Sequence, residues 1–290
     1  MLVIRPRDRD AVIQSLRAGV VPRVGAHLIQ VGRLKEIHAL LSDIERVADG
    51  GSAFRLVTAD YGGGKTFFLQ LTRSIAQEKR MVTVHADLSP ERRLQATGGQ
   101  ARSLYGELMR NLATRSKPDG GAMSSVVERF ITEALRSAKD NGTSAESAIQ
   151  TCLHELSEMT NGYDFAQVIE AYWRGYDGGN DQLKSDAVRW LRAEFTTKTE
   201  ARAALGVRTI IDDASVYDHF KILARFARQA GFQGLFVVLD EMVNLYKLEN
   251  TQARNANYEQ LLRILNDCLQ GGTAANLGIL MISMPRSGPL

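Results

Sequence analysis

Apolar positions recur along this chain with two alternating periods. Val12, Ile13 and Leu16 share one face of a short opening helix, with Asp8 or Asp10 as its N-cap and Gly19 as its stop. A loop through Pro22 and a short apolar stretch, Leu28 to Val31, follow. Leu34, Ile37, Leu41, Ile44 and Val47 then fall at helical spacing until Gly50 and Gly51, which predicts an amphipathic helix. Ala53 to Thr58 is short and apolar-rich and runs into a glycine cluster, after which Phe67, Phe68, Leu69, Leu71 and Ile75 resume helical spacing: strand, loop, helix. Met81 to Ala86 reads as a second strand that stops at Asp87 to Pro90, where Ser89, Pro90 and Glu91 suit a helix start.

From Gly98 to Gly231 the pattern is almost entirely helical, with faces such as Leu104, Tyr105, Leu108 and Leu112, then Val127, Phe130, Ile131 and Ala134. Polar, glycine-rich breaks interrupt it at 117–122 and 177–181, and Tyr172 and Trp173 fall in step with Phe165 and Ile169, as core residues do. Gly234 to Leu239 and Leu277 to Ile282 are continuous apolar runs of the kind a parallel sheet buries on both faces, joined by a helix at about 257–269. Strands alternating with helices predict an α/β layered fold with a parallel sheet. The expected division is a helical lead-in at 1–50 and a core at 51–290 that carries a long helical insertion at 98–231.

Composition narrows the partners rather than the fold. With 36 Lys plus Arg against 33 Asp plus Glu, the net charge of +3 is too small to predict nucleic-acid or membrane binding, so any DNA contact must come from a local patch. Cys152 and Cys268 lie in apolar helical patterns and are expected as buried thiols. No apolar run approaches about 18 residues and no charged-then-apolar leader precedes Gly19, so a cytoplasmic, non-membrane protein is expected. The five histidines show no paired ligand spacing that would predict zinc.

The chemistry sits at two strand ends. Ala59-Asp60-Tyr61-Gly62-Gly63-Gly64-Lys65-Thr66 lies between a predicted strand and helix. Phosphates need converging backbone N–H groups, a helix N-terminus and a cation, which a glycine-rich loop ending in Lys65 supplies, while Thr66 offers a hydroxyl to Mg²⁺. The usual pattern has glycine where this chain has Ala59; the plain alternative is an ordinary loop and helix start. The apolar run Leu235 to Leu239 ends in Asp240 and Glu241. After a phosphate loop such a pair reads as a metal-holding aspartate and a water-polarising glutamate, rather than a solvated turn. Ser283 is the candidate γ-phosphate sensor at the end of the last strand, and Gly32 and Arg33 could stand beside the adenine. The expected nucleotide contacts are therefore Tyr61, Gly62, Gly63, Gly64, Lys65, Thr66, Phe67, Gly32 and Arg33. Thr66 and Asp240 are the expected metal ligands, and Glu241, Lys65 and Ser283 the catalytic groups. Arg92, Arg93 and Arg254 are weighed as phosphate-facing or trans-acting arginines against plain loop roles.

These strings carry a family resemblance. Val31-Gly32-Arg33, Asp60 to Leu69, Ala86 to Pro90, Leu205 to Arg208 and Leu239 to Lys247 resemble the ATP-binding P-loop proteins of bacterial phage-exclusion (BREX) islands. The resemblance implies an AAA+/ASCE-like P-loop NTPase of the origin-recognition branch, which uses ATP and Mg²⁺, with a winged-helix region after the core. It also implies defence-system proteins as partners and DNA through their complex, while an open strand edge would invite association into a homo-oligomer. The last stretch departs from relatives, with Ser283-Met284-Pro285 where Gly-Thr-Pro is usual. The lid, the winged helix and a fifth strand beside the P-loop strand are expected to be missing, leaving that edge open unless Leu28 to Val31 covers it. Two functions compete: an ATPase in anti-phage defence, and a nucleotide-binding scaffold with little turnover.

Overall fold

The computed structural model describes residues 5–22, 25, 28–60, 62–270 and 272–283. Its frame is a four-stranded, wholly parallel sheet in the order β1-β4-β3-β2, from β1 (Ala53–Thr58), β2 (Val82–Asp87), β3 (Leu235–Asp240) and β4 (Leu277–Ser283). All four predicted strands form. In β3 and β4 every residue but the last is buried, as expected for strands covered on both faces.

Alternate strand residues feed two cores. On one face Ala53, Phe236, Val238, Leu280 and Ile282 pack with Leu40, Ile44 and Val47 of α2 (Leu34–Ala48) and with Phe68 and Ala76 of α3 (Lys65–Glu78). On the other face Val84, Val237, Ile279 and their neighbours meet the helical block, α4 (Gln100–Arg110), α5 (Met123–Asn141), α6 (Ala145–Ser157), α7 (Gly162–Asp177), α8 (Asp181–Leu191), α9 (Lys198–Leu205) and α10 (Val216–Gln229). α10 packs on β3 and β4 and α4 on β2, so the block lies directly on the sheet and shares its core. Gly278 faces Phe236 in register, and a Cβ there would come within 2.5 Å of the ring, so this pair needs glycine.

Several local expectations give way to better bonding. The first helix, α1 (Pro6–Arg17), starts with Pro6 at its first turn instead of an aspartate cap; proline's fixed φ suits that position, where its missing N–H costs nothing. No helix starts at Ser89: reciprocal bonds between Ser89 and Arg92 (3.0 and 3.1 Å) close a tight turn, and the Ser89 hydroxyl accepts from the Glu91 N–H at 3.2 Å. A short helix, α11 (Val243–Tyr246), follows β3, and α12 begins at Thr251 and runs to Gln270, longer than predicted because Asn250 accepts from the Ala253 N–H at 3.0 Å ahead of its first turn. Cys268 is buried and Cys152 half-buried, both free thiols, and burial raises the Cys268 thiol to about 11. Leu28 to Val31 forms no strand and Val31 is exposed; among the described residues β1 pairs only with β4.

Candidate functional site

Because every strand is parallel, all four C-terminal ends reach one edge of the sheet, the place where open α/β sheets receive ligands. From β1 outward that edge carries Thr58, Ser283, Asp240 and Asp87 in turn. Ser283 stands in register with Thr58 and its carbonyl accepts the Ala59 N–H at 3.2 Å, so the glycine-rich turn starts bound to the strand that lies between it and β3.

The turn has the backbone that its glycines permit. Gly62 and Gly64 have φ of +76° and +74°, left-handed values that cost a side-chain-bearing residue energy, and Gly64 is the residue from which α3 starts. Gly63 N–H closes the turn on the Asp60 carbonyl at 3.0 Å. Ala59 is not among the residues with positive φ, so the methyl that replaces the usual glycine is tolerated without strain. The first intrahelical bond is Phe68 N–H to Gly64 C=O at 3.0 Å, which leaves the amides of Lys65, Thr66 and Phe67 as the outward-facing first turn. Thr66 is exposed and Lys65 half-buried. Tyr61 lies outside the described residues.

Opposite the turn, β3 delivers the two carboxylates. Asp240 ends the buried run, and its Oδ1 accepts the Glu241 N–H at 2.7 Å. Glu241 has φ +57°, a left-handed conformation rare outside glycine, held by Met242 N–H to the Ile282 carbonyl and Asn244 N–H to the Glu241 carbonyl at 3.0 and 2.9 Å. Strain of this kind persists only where its surroundings enforce it, and it gathers at working sites. The Asp240 carboxyl is held above the usual carboxylate range by burial, with the charges of Glu241 and Asp87 adding to the rise; the Glu241 amide and the Lys65 ammonium pull the other way. The Lys65 charge is the smallest of these influences on Asp240, and the two residues stand 175 positions apart in sequence.

Asp87 was visible in the sequence only as a strand terminator. The structure sets it opposite Asp240, and Leu88 N–H bonds the Asp240 carbonyl at 2.9 Å while Asn244 Nδ2 donates to the Leu88 carbonyl at 2.8 Å. The available signal was the repeated pattern of an apolar strand closing on aspartate, present in both β2 and β3.

Of the pair Gly32 and Arg33, it is Arg33 whose side chain reaches the turn. Both have left-handed backbones, and Arg33 donates from Nη2 to the Gly63 carbonyl and from Nη1 to the Gly64 carbonyl at 3.4 Å, its guanidinium 5.9 Å from the Phe68 ring. A cleft of about 200 Å³ opens beside it among Glu36, Ala59, Lys65 and Phe68. The three other arginines weighed above have local partners. Arg254 donates to the Leu248 carbonyl at 2.7 Å, Arg93 to the Pro90 carbonyl, and Arg92 lies 3.9 Å from Glu107.

A glycine turn with two left-handed positions, followed by first-turn amides that precede the first intrahelical bond, suits a polyphosphate. One hydroxyl (Thr66) and one carboxylate (Asp240) suit Mg²⁺, an ion that takes few protein ligands beside phosphate and water. Among the described residues no helix is long and apolar enough to cross a membrane. The family model described as "BREX system ATP-binding protein BrxC/D" matches residues 4–286. No curated protein and no solved structure matches the chain.

Proposed function

The chain belongs to the BREX system ATP-binding protein BrxC/D family, and from that premise we propose that it is a Mg²⁺-dependent ATPase of the P-loop, AAA+-like class that works in an anti-phage defence complex. The supporting observation is that Lys65, at the start of α3, and Asp240, at the end of β3, both lie at the C-terminal edge of the sheet, where the Lys65 charge draws the Asp240 carboxyl downward. In this reading the amides from Gly62 to Phe67 cradle the β- and γ-phosphates and Lys65 neutralises their charge. Thr66 and Asp240 would hold Mg²⁺, which supplies charge neutralisation as the phosphoryl group transfers. Glu241, set at the strained corner, orients the attacking water and takes its proton, and Ser283 reads the γ-phosphate from the intervening strand. The family context supports other defence-system components as partners; in this reading DNA is reached through them, and the chain self-associates in the cytoplasm.

The test is ATP turnover and ATP binding by the wild type beside Lys65→Ala and Glu241→Gln. The expected pattern is loss of binding in Lys65→Ala, and retained binding without turnover in Glu241→Gln. A wild type that binds ATP but turns over no faster than either variant would instead make the protein a nucleotide-binding scaffold.

A further inference from the structure

We propose that Arg33 is a positioning residue that presets the glycine-rich turn for phosphate by holding its carbonyls outward; the proposal rests on the nucleotide-binding reading above. A trans peptide points its C=O and its N–H in opposite directions. The Gly63 carbonyl shares a peptide with the Gly64 N–H, and the Gly64 carbonyl with the Lys65 N–H. Arg33 binds both carbonyls, the Gly63 one on its own and the Gly64 one together with the Phe68 N–H of α3, so the amides that share these peptides face away from it, toward the side of the loop where a phosphate would sit.

The turn needs such a brace. Gly62, Gly63 and Gly64 in succession have more conformational freedom to lose than any other tripeptide, and ordering them on binding costs affinity. A clamp already in place in the free protein removes part of that cost. The clamp is itself well anchored. Arg33 opens α2, whose Leu40, Ile44 and Val47 are fully buried, and its guanidinium lies over the face of Phe68, itself buried on α3. The successive left-handed residues Gly32 and Arg33 bring the side chain back from α2 onto the turn. Arginine suits the task because its planar fork can serve two acceptors at once, whereas a lysine ammonium on a flexible stem holds them less well. An arginine that only touched the adenine would lose nucleotide affinity alone; one that grips the backbone of the phosphate turn affects every phosphate ligand.

The experiment compares ATP, GTP and inorganic tripolyphosphate binding to the wild type, Arg33→Ala, Arg33→Lys and Lys65→Ala, with hydrogen exchange of residues 62–68 followed in the ligand-free proteins. Arg33→Ala should weaken all three ligands by a common factor of about tenfold, the scale of one hydrogen bond to a charged group. Arg33→Lys should recover part of the loss. Exchange at 62–68 should quicken in ligand-free Arg33→Ala while β3 and β4 keep their protection, which also shows that the variant is folded. A loss confined to ATP and GTP, with tripolyphosphate unaffected, would mean that Arg33 touches the base or ribose and would overturn the proposal, as would unchanged exchange at 62–68. If the wild type binds neither ATP nor tripolyphosphate, the nucleotide-binding reading falls and the preset phosphate site with it. Binding that Lys65→Ala abolishes and Arg33→Ala leaves intact overturns the Arg33 role alone.

Discussion

Asp87 and Asp240, the last residues of β2 and β3, stand directly opposite one another across the parallel register. Asp87 adds to the burial and to Glu241 in holding the Asp240 carboxyl above its usual range. Asp87→Asn removes that contribution, so the acid limb of the pH–turnover profile should move to lower pH. A limb that stays in place in Asp87→Asn would show that the two carboxylates are uncoupled in solution.

Asp240 itself should trade stability for function. Its folded pKa lies above the unfolded value, so the ionised carboxylate opposes folding at neutral pH, and the penalty fades as pH falls through the folded pKa toward the unfolded one. Asp240→Asn should therefore raise the thermal midpoint of the nucleotide-free protein at pH 7. That gain should shrink as pH approaches the ordinary aspartate range, and turnover should be lost. Calorimetry at two pH values, with an activity assay, measures all three.

His85 predicts acid sensitivity. Burial first, then the charge of Arg73, hold its imidazole at about 4 against an ordinary 6.5, with Glu107 opposing. Between those values the unfolded chain takes up a proton that folded His85 refuses, so stability falls as pH drops from about 6.5 and the loss is complete near 4. His85→Gln should flatten this part of a urea-midpoint against pH curve, by up to about 1.4 kcal/mol per pH unit. An unchanged slope would assign the acid sensitivity to other groups.

Asp164, buried on α7, accepts the Thr209 N–H at 2.7 Å, the Arg208 N–H at 3.2 Å and the Thr209 hydroxyl. Asp164→Ala would leave two backbone donors without their acceptor, at a cost of about 3 kcal/mol, and Asp164→Asn, which keeps one acceptor oxygen, should cost less. Denaturant titration gives the difference. Because these bonds join α7 to Arg208 and Thr209 within the helical block, the folded fraction of Asp164→Ala should bind ATP with wild-type affinity.

What the sequence determined alone is what neighbours along the chain decide. Ala53 to Thr58 is a strand because an apolar run meets a glycine cluster, Lys65 opens a helix because helical spacing resumes at Phe67, and Asp240 and Glu241 follow a run that only a buried strand explains. The same holds for the helical character of 98–231 and for the family strings. Tertiary structure decided which strand ends share an edge: β4 between β1 and β3, Asp87 opposite Asp240, and Arg33 on the carbonyls of Gly63 and Gly64. Ser89 to Arg92 became a closed turn where local pattern favoured a helix. Register and crossover order are fixed by packing between residues tens to hundreds of positions apart, as where Phe236 needs Gly278 beside it, and a spacing rule that looks a few residues ahead carries no record of those contacts.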